Sequence, residues 1–144
     1  IDSPQGLYLF PATRFVAGFV GENNVIDVKV EQRQAQQLLL RVNAGLVLYG
    51  VPMHRIDGDS CRLFIRPESV MLEPALELVE VNRFELWVKS VLFDGSNSKL
   101  LGSIGADGPE IFVALPQNRQ FAHVSPGAKI QAGVHISACG CYAD

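Results

Sequence analysis

The sequence is short of cysteine, of positive charge and of long apolar runs, and each shortage excludes a class of protein. Its three cysteines, two of them only two positions apart, do not form a disulfide framework or a four-ligand zinc motif. Twelve lysines and arginines against fifteen aspartates and glutamates give a net charge of −3, so the basic footprint of a nucleic-acid binder is missing. The longest apolar stretches, such as residues 46–49, fall far short of the ~20 residues that a membrane-spanning helix needs.

The sequence also lacks the short motifs of phosphate binding and nucleophilic catalysis. A P-loop places a glycine directly before a lysine, so that backbone amides and the ammonium group surround one phosphate. None of the four lysines follows a glycine, and no G-x-S-x-G motif is present. The glutamates spaced through residues 68–80 indicate a solvated acidic face. No catalytic constellation emerges, and a standalone enzyme is the least favoured interpretation.

What the sequence contains instead is typical of a globular, β-rich chain. It is 48% hydrophobic, with thirteen glycines and eight prolines that predict many turns. From residue 24 onward apolar and polar residues alternate, as at Ile26, Val28 and Val30, and residues 130–136 repeat this pattern. Nine or ten short strands of this kind suggest small barrels or a sandwich, and two interlocked barrels of about five strands each fit the length. The predicted fold class is therefore mainly β.

The first 23 residues predict a short helical connector. Pro11 opens the second of two helical turns, and the apolar residues that follow fall on one helical face. These residues are Phe15, Val16, Phe19 and Val20. An isolated helix of about ten residues is not stable in water, so this face is expected to dock on another part of the protein.

These patterns divide the chain into four parts. The parts are a connector at residues 1–23, a first barrel portion at 24–66, a second at 67–138 and a tail at 139–144. Cys139 and Cys141 in the tail are interpreted as incidental thiols in a frayed end, with no metal site.

The N-terminal segment carries a resemblance to a known family. It reads SPQGLY at residues 3–8, has a second proline at position 11, and continues as FVAGFVG at residues 15–21. This resembles the stretch that follows the nucleotide-binding domain in ATP-binding subunits of bacterial ABC importers for sugars, polyamines or ferric iron. Arg66-Pro67-Glu68 resembles the R-P-E signature of that family at the entry to the last barrel. The resemblance extends from residue 3 to about residue 137.

The resemblance implies a fold, a role and a set of partners. The fold would be OB-like barrels of the transport-associated type called TOBE, and the ATP-binding core would lie upstream of Ile1. ATP and Mg²⁺ would be bound by that core, and no cofactor or metal is expected in this fragment. The expected role is non-catalytic regulation and dimerisation of the ATP-binding subunit. The expected partners are a second copy, the ATPase core, the membrane permease subunits reached through that core, and a regulatory protein. No nucleic-acid partner is expected. The expected location is the cytoplasmic side of the bacterial inner membrane, where the protein would be peripheral.

The candidate functional residues follow from the same comparison. The stripe of Phe15, Val16, Phe19 and Val20 would anchor the crossover between the ATPase core and the barrels. The other candidates, for an interface or a ligand, are Arg66, Pro67, Glu68, Arg83 and Trp87. Oxyanion-binding relatives carry a Ser-Ala-Arg-Asn run where this chain has residues 81–84, which disfavours molybdate although an arginine is kept.

Two alternative functions stay open at this stage. A small-ligand sensor would bind an oxyanion or the transported solute through backbone amides and Arg66 or Arg83. An OB-type single-strand nucleic-acid binder would use Trp87 as a stacking platform, but the acidic charge balance speaks against it. A more ordinary interpretation of Trp87 is that it packs against a neighbouring barrel or a partner subunit. The transported solute cannot be read from this sequence.

Overall fold

The computed structural model describes residues 23–43, 45–94, 97–115 and 124–144. These ranges contain ten strands, numbered in chain order: β1 (Asn24–Arg33), β2 (Leu38–Asn43), β3 (Leu46–Pro52), β4 (Ser60–Ile65), β5 (Met71–Leu72), β6 (Val81–Asp94), β7 (Asn97–Ile104), β8 (Glu110–Leu115), β9 (Lys129–His135) and β10 (Gly140–Ala143). Two short 3₁₀ helices, Pro67–Ser69 and Ile136–Ala138, complete the described elements. The mainly β fold class predicted from the sequence is confirmed. The predicted helical stripe of Phe15, Val16, Phe19 and Val20 lies outside the described residues.

The described chain divides into two compact units. One unit contains residues 23–65 together with 136–144, and the other contains residues 66–135. The chain passes from the first unit to the second after Ile65 and returns to the first after His135. The second unit is therefore an insertion, along the chain, between two strands of the first.

The first unit is a closed five-stranded barrel. Its strands follow the order β1-β2-β3-β10-β4, and β1 closes the barrel by pairing with β4. All neighbours are antiparallel except β10 and β3, which run parallel. A small, closed five-stranded barrel of this kind is the OB type of architecture. Closure removes the unpaired strand edges that would otherwise invite association.

The prediction of a frayed tail at residues 139–144 was wrong. Residues 140–143 form β10 and pair with β4 at four successive positions, from Gly140 opposite Phe64 to Ala143 opposite Cys61. Cys139 and Cys141 are fully buried and Tyr142 is 5% exposed. The physical reason is the gap that β3 and β4 leave between them, because two strand edges without a partner would leave backbone groups unsatisfied.

A bulge in β1 lets one strand serve two neighbours. Residues 24–29 of β1 pair with β4, and residues 29–33 pair with β2. The register shifts between Val30 and Gln32, so Glu31 is the extra residue. A bulge bends its strand and increases its twist, which is how a short barrel turns a corner.

The interior of the barrel follows the predicted alternation. Ile26 and Val28 of β1 are 3% exposed, whereas Asp27 and Lys29 between them face solvent. The remaining strand residues of this core include Leu38, Leu40, Leu48, Cys61, Leu63 and Ile65, all buried. Burying one such large aliphatic side chain stabilises the fold by about 1.5–3 kcal/mol relative to leaving it exposed.

The second unit is built on a five-stranded antiparallel sheet. Its order is β5-β9-β6-β7-β8, and within the described residues it does not close on itself. The 14-residue strand β6 pairs with β9 through residues 81–87 and with β7 through residues 86–94. Ile130, Ala132 and Val134 of β9 are buried as the alternation predicts, whereas Ile136 begins the second 3₁₀ helix.

We expect Gly50→Ala to destabilise the protein by about 1–3 kcal/mol, because extra volume in a packed interior forces neighbours to move. A Cβ atom at Gly50 would lie 2.5 Å from the Cys141 Sγ and 2.9 Å from the Leu40 Cδ1. The measurement is the free energy of unfolding by urea. The matched control is Gly45→Ala, since a Cβ there meets nothing within 4 Å. Adding Cys141→Ala to Gly50→Ala should relieve most of the clash, and purely additive losses would contradict this packing argument.

Candidate functional site

The connection between β5 and β6, residues 73–80, is a preformed loop on the second unit. Both of its ends are held in the left-handed backbone region, with φ of 50° at Glu73 and 54° at Glu80. Non-glycine residues occupy this region at a cost of roughly 1–2 kcal/mol each. The amide of Leu78 donates to the carbonyl of Ala75 at 3.2 Å, which forms a turn inside the loop.

Arg83 fixes the shape of the 73–80 loop. Its Nη2 donates to the carbonyl oxygens of Ala75 at 2.6 Å and Leu78 at 3.2 Å, and its Nη1 donates to that of Pro74 at 3.4 Å. The guanidinium group of Arg83 therefore serves three backbone acceptors of its own chain. The sequence analysis named Arg83 as a ligand or interface residue, and the structure gives it a role in positioning this loop.

The fixed 73–80 loop presents apolar side chains to solvent. Leu76 is 91% exposed and Val79 is 77% exposed, with Leu78 at 36%. Glu77 lies exposed between them, and Glu73 and Glu80 lie exposed at the two ends. Single exposed apolar residues are ordinary on a protein surface, but adjacent ones on a rigid loop indicate a contact surface. The sequence analysis noticed only the acidic spacing here; the signal it missed was the leucine and valine residues placed between the glutamates.

Trp87 lies on the outer face of the sheet and already has two polar neighbours. Its indole Nε1 donates to the Glu85 Oε1 at 2.6 Å. The Lys129 Nζ lies 4.2 Å from the centroid of the Trp87 ring, in a cation–π contact. One face of the ring is thus covered by an ammonium group from the directly opposed position on β9.

The same sheet carries further lysines on strands β6 and β7. Lys99 lies 5.6 Å from the centroid of the Phe112 ring, and Leu92, 42% exposed, is the cross-strand neighbour of Lys99. Lys89 forms an ion pair with Glu110 at 3.1 Å. We call Lys89, Leu92, Lys99 and Phe112 the lysine face. Together with Lys129, it contains three of the four lysines of the chain next to exposed or half-buried apolar groups.

Arg66-Pro67-Glu68 marks the entry into the second unit. Pro67 is buried and opens the first 3₁₀ helix, while Glu68 is exposed. The carbonyl of Arg66 accepts a hydrogen bond from the amide of Ser69 at 3.0 Å. These three residues lie on a different element from Arg83 and Trp87, which both belong to β6.

The barrel has a cavity of about 510 Å³ lined by β1, β2, β4 and the residue after β10. Arg62 pairs there with Asp27 at 2.5 Å and Asp144 at 3.6 Å, and the Ser60 Oγ donates to Asp144 at 2.6 Å. The cavity is lined by side chains of both signs of charge, and Arg62, Asp27 and Asp144 among them are already paired with one another. Exposed pairs of this kind contribute about 0–1 kcal/mol each.

All three cysteines are buried and free, without a disulfide. The hydrogen bond with Cys61, together with burial, raises the pKa of the Cys141 thiol. A thiol of this kind stays protonated and unreactive at neutral pH, because the thiolate is the nucleophile.

Neither a metal cluster nor a membrane-spanning helix is found in the described ranges. No three histidine, cysteine, aspartate or glutamate residues come together there in a way that would hold a metal ion. None of the helices described is long and apolar enough to cross a membrane.

Comparison with solved structures places the fold. The cytoplasmic molybdate-binding protein ModG, solved with molybdate bound, superimposes with a TM-score of 0.68. The superposition covers 84% of this chain and 96% of that chain, at 17% sequence identity. This likeness confirms the predicted OB-like, TOBE-type fold.

Comparison with known sequences finds similarity to importer subunits. It is 25% identical over 142 residues to the spermidine/putrescine import ATP-binding protein PotA of Rubrobacter xylanophilus, and 27% identical to PotA of Roseobacter denitrificans, with 96% of this chain covered in each case. Over 72 residues it is 39% identical to the Fe(3+) ions import ATP-binding protein FbpC of Brucella abortus. No family model matches the chain.

The predicted resemblance is confirmed: the chain is similar to the C-terminal end of ABC-importer ATP-binding subunits. It covers 36% and 38% of the two PotA proteins, so it spans little more than a third of the length of those relatives.

We expect Arg83→Gln to loosen the 73–80 loop without unfolding the sheet. The shorter amide cannot span the carbonyls of Pro74, Ala75 and Leu78, so the loop loses its main fixed contacts. Hydrogen exchange should show faster exchange of the Leu78 amide and unchanged exchange in β9. The control is Arg55→Gln, which removes an exposed ion pair with Asp57 in the other unit. Unchanged protection of Leu78 in Arg83→Gln would contradict the positioning role.

The thiols generate a prediction about pH. Because the pKa of the Cys141 thiol is raised in the folded protein, the unfolded chain loses that proton first as pH rises. Stability from this group is therefore complete below the ordinary thiol pKa of about 8.5 and declines above it. A pH titration of the thiolate ultraviolet absorbance should therefore show fewer ionised thiols at pH 10 in the folded protein than in the urea-unfolded chain. Equal ionisation in the two states would contradict the assignment.

Proposed function

We propose that this chain is the non-catalytic C-terminal regulatory and dimerisation region of the ATP-binding subunit of a bacterial ABC solute importer. The observation that carries the proposal is the match of 96% of the chain to the C-terminal end of two polyamine-import ATP-binding proteins. The OB-like barrel supports it, since an appendage of this type needs no catalytic machinery of its own.

The missing motifs agree with this division of labour. No lysine follows a glycine anywhere in the sequence, so a P-loop would have to come from another part of a longer protein. ATP and Mg²⁺ would bind in that part, and the permease subunits would be reached through it. On this proposal the chain works at the cytoplasmic side of the inner membrane. Polyamine or ferric-iron import is favoured over sugar import by the names of the relatives.

A small-ligand sensor is the second candidate function, favoured by one observation. The ModG protein, of similar fold, binds molybdate. Against it, the guanidinium group of Arg83 is already engaged with three carbonyl oxygens. The nucleic-acid alternative has less support, because the net charge is negative and Lys129 covers one face of Trp87.

Nucleotide binding and thermal stability test these proposals on the chain itself. The 144-residue protein should show no change in melting temperature with Mg-ATP, and the same holds for molybdate, spermidine and ferric citrate. A ligand present at about 100 times its Kd would add ~2.7 kcal/mol of stability. A shift with Mg-ATP would contradict the non-catalytic role. A rise in melting temperature with molybdate, spermidine or iron, but not with Mg-ATP, would contradict regulation by protein partners and support direct ligand sensing.

The parent protein is the second test. The reading frame upstream of Ile1 should encode G-x-x-x-x-G-K-[ST], the phosphate-binding motif that this chain lacks. A frame that starts at this point, or an upstream region without that motif, would overturn the assignment.

A further inference from the structure

We propose that the 73–80 loop of one copy docks on the lysine face of a second copy, with the same contact repeated in reverse. The inference rests on the proposed dimerisation role and identifies the surfaces that carry it. Both surfaces belong to the second unit of the chain, so a two-fold axis lets each copy supply one loop and one face.

The loop has the properties of a docking element. Leu76 and Val79 are 91% and 77% exposed, so contact with a partner would remove much apolar surface from water. Arg83 already fixes the backbone through the carbonyls of Pro74, Ala75 and Leu78. A segment whose shape is set before binding loses little conformational entropy when it binds.

The lysine face has the complementary properties. Leu92 is 42% exposed and lies opposite Lys99, and Phe112 is half-buried under Lys99, so apolar groups lie beside this ammonium group, whereas Lys89 is paired with Glu110. The loop itself brings three exposed carboxylates, at Glu73, Glu77 and Glu80. Opposite charges around an apolar centre favour association and fix its orientation, because like-charged arrangements are penalised.

The repeated contact also accounts for the interface area that a stable dimer needs. A stable interface buries about 1,200–2,000 Å² in total, more than an eight-residue loop supplies by itself. Two loops and two faces in one dimer double the contact, and they leave no unpaired loop that would link further copies into a fibre.

The first experiment measures the dimer dissociation constant by sedimentation equilibrium of the whole chain. The double variant Leu76→Ser/Val79→Ser should weaken the dimer by about tenfold or more, as expected for apolar anchors. The control is Val47→Ser on the barrel, where an exposed apolar side chain, 42% accessible, lies outside both surfaces. Urea unfolding checks that neither protein has lost its fold. A dimer equally stable in both proteins would overturn the assignment of the loop.

The second experiment uses charge reversal and mixing. Glu77→Lys and Lys99→Glu should each weaken the homodimer, because both contacts then bring like charges together. An equimolar mixture of the two variants should form mostly heterodimer, since opposite charges meet at both contacts of that pair. Native mass spectrometry of the mixture, with one variant isotopically labelled, reads this directly. A statistical 1:2:1 distribution would overturn the proposed pairing of surfaces.

The outcomes separate this inference from the proposed function. A wild-type chain that stays monomeric at high concentration removes both the docking surfaces and dimerisation by this region. A dimer that ignores the loop and the lysine face keeps dimerisation and removes only these surfaces.

Discussion

The first unit depends on one strand being inserted between two others. β10 occupies the gap between β3 and β4, parallel to one and antiparallel to the other, and so completes the ring of backbone hydrogen bonds. The glycine at position 50 makes room for the Cys141 side chain at this closure. Because a barrel without edges satisfies every strand on both sides, the short and weakly patterned segment 140–143 has a structural effect out of proportion to its length.

The second unit stabilises its surface features through a different constraint. The long strand β6 bonds to β9 with its first half and to β7 with its second half, so side chains on its outer face are held in register with both neighbours. This is why Arg83 can hold the 73–80 loop and why Trp87 meets Lys129. A surface that works by contact needs side chains fixed in this way more than it needs reactive groups.

The sequence analysis succeeded where the signal is local and failed where it depends on distant partners. The alternation at Ile130, Ala132 and Val134 predicted a half-buried strand, because period two is set by the backbone itself. Residues 140–143 give no such signal: the strand is too short for a period, and its burial comes from partners some 75 positions earlier, as with Gly140 and Phe64. The contacts of Arg83 with the 73–80 loop could not be predicted for a related reason. Every residue has a backbone carbonyl, so the sequence does not indicate which ones accept a hydrogen bond from Arg83.

The position of β10 along the chain also has a consequence for the order of folding. Ribosomes release a protein from its amino end, and domains generally fold as they emerge. Strands β1 to β4 of the barrel leave the ribosome first, the inserted second unit follows, and β10, which closes the barrel, comes last. The nascent barrel therefore lacks one strand and has unpaired edges on β3 and β4 while about seventy residues of the second unit are translated. Rapid independent folding of the second unit would shorten this interval. A chaperone bound to the unpaired edges of β3 and β4 would protect them during it.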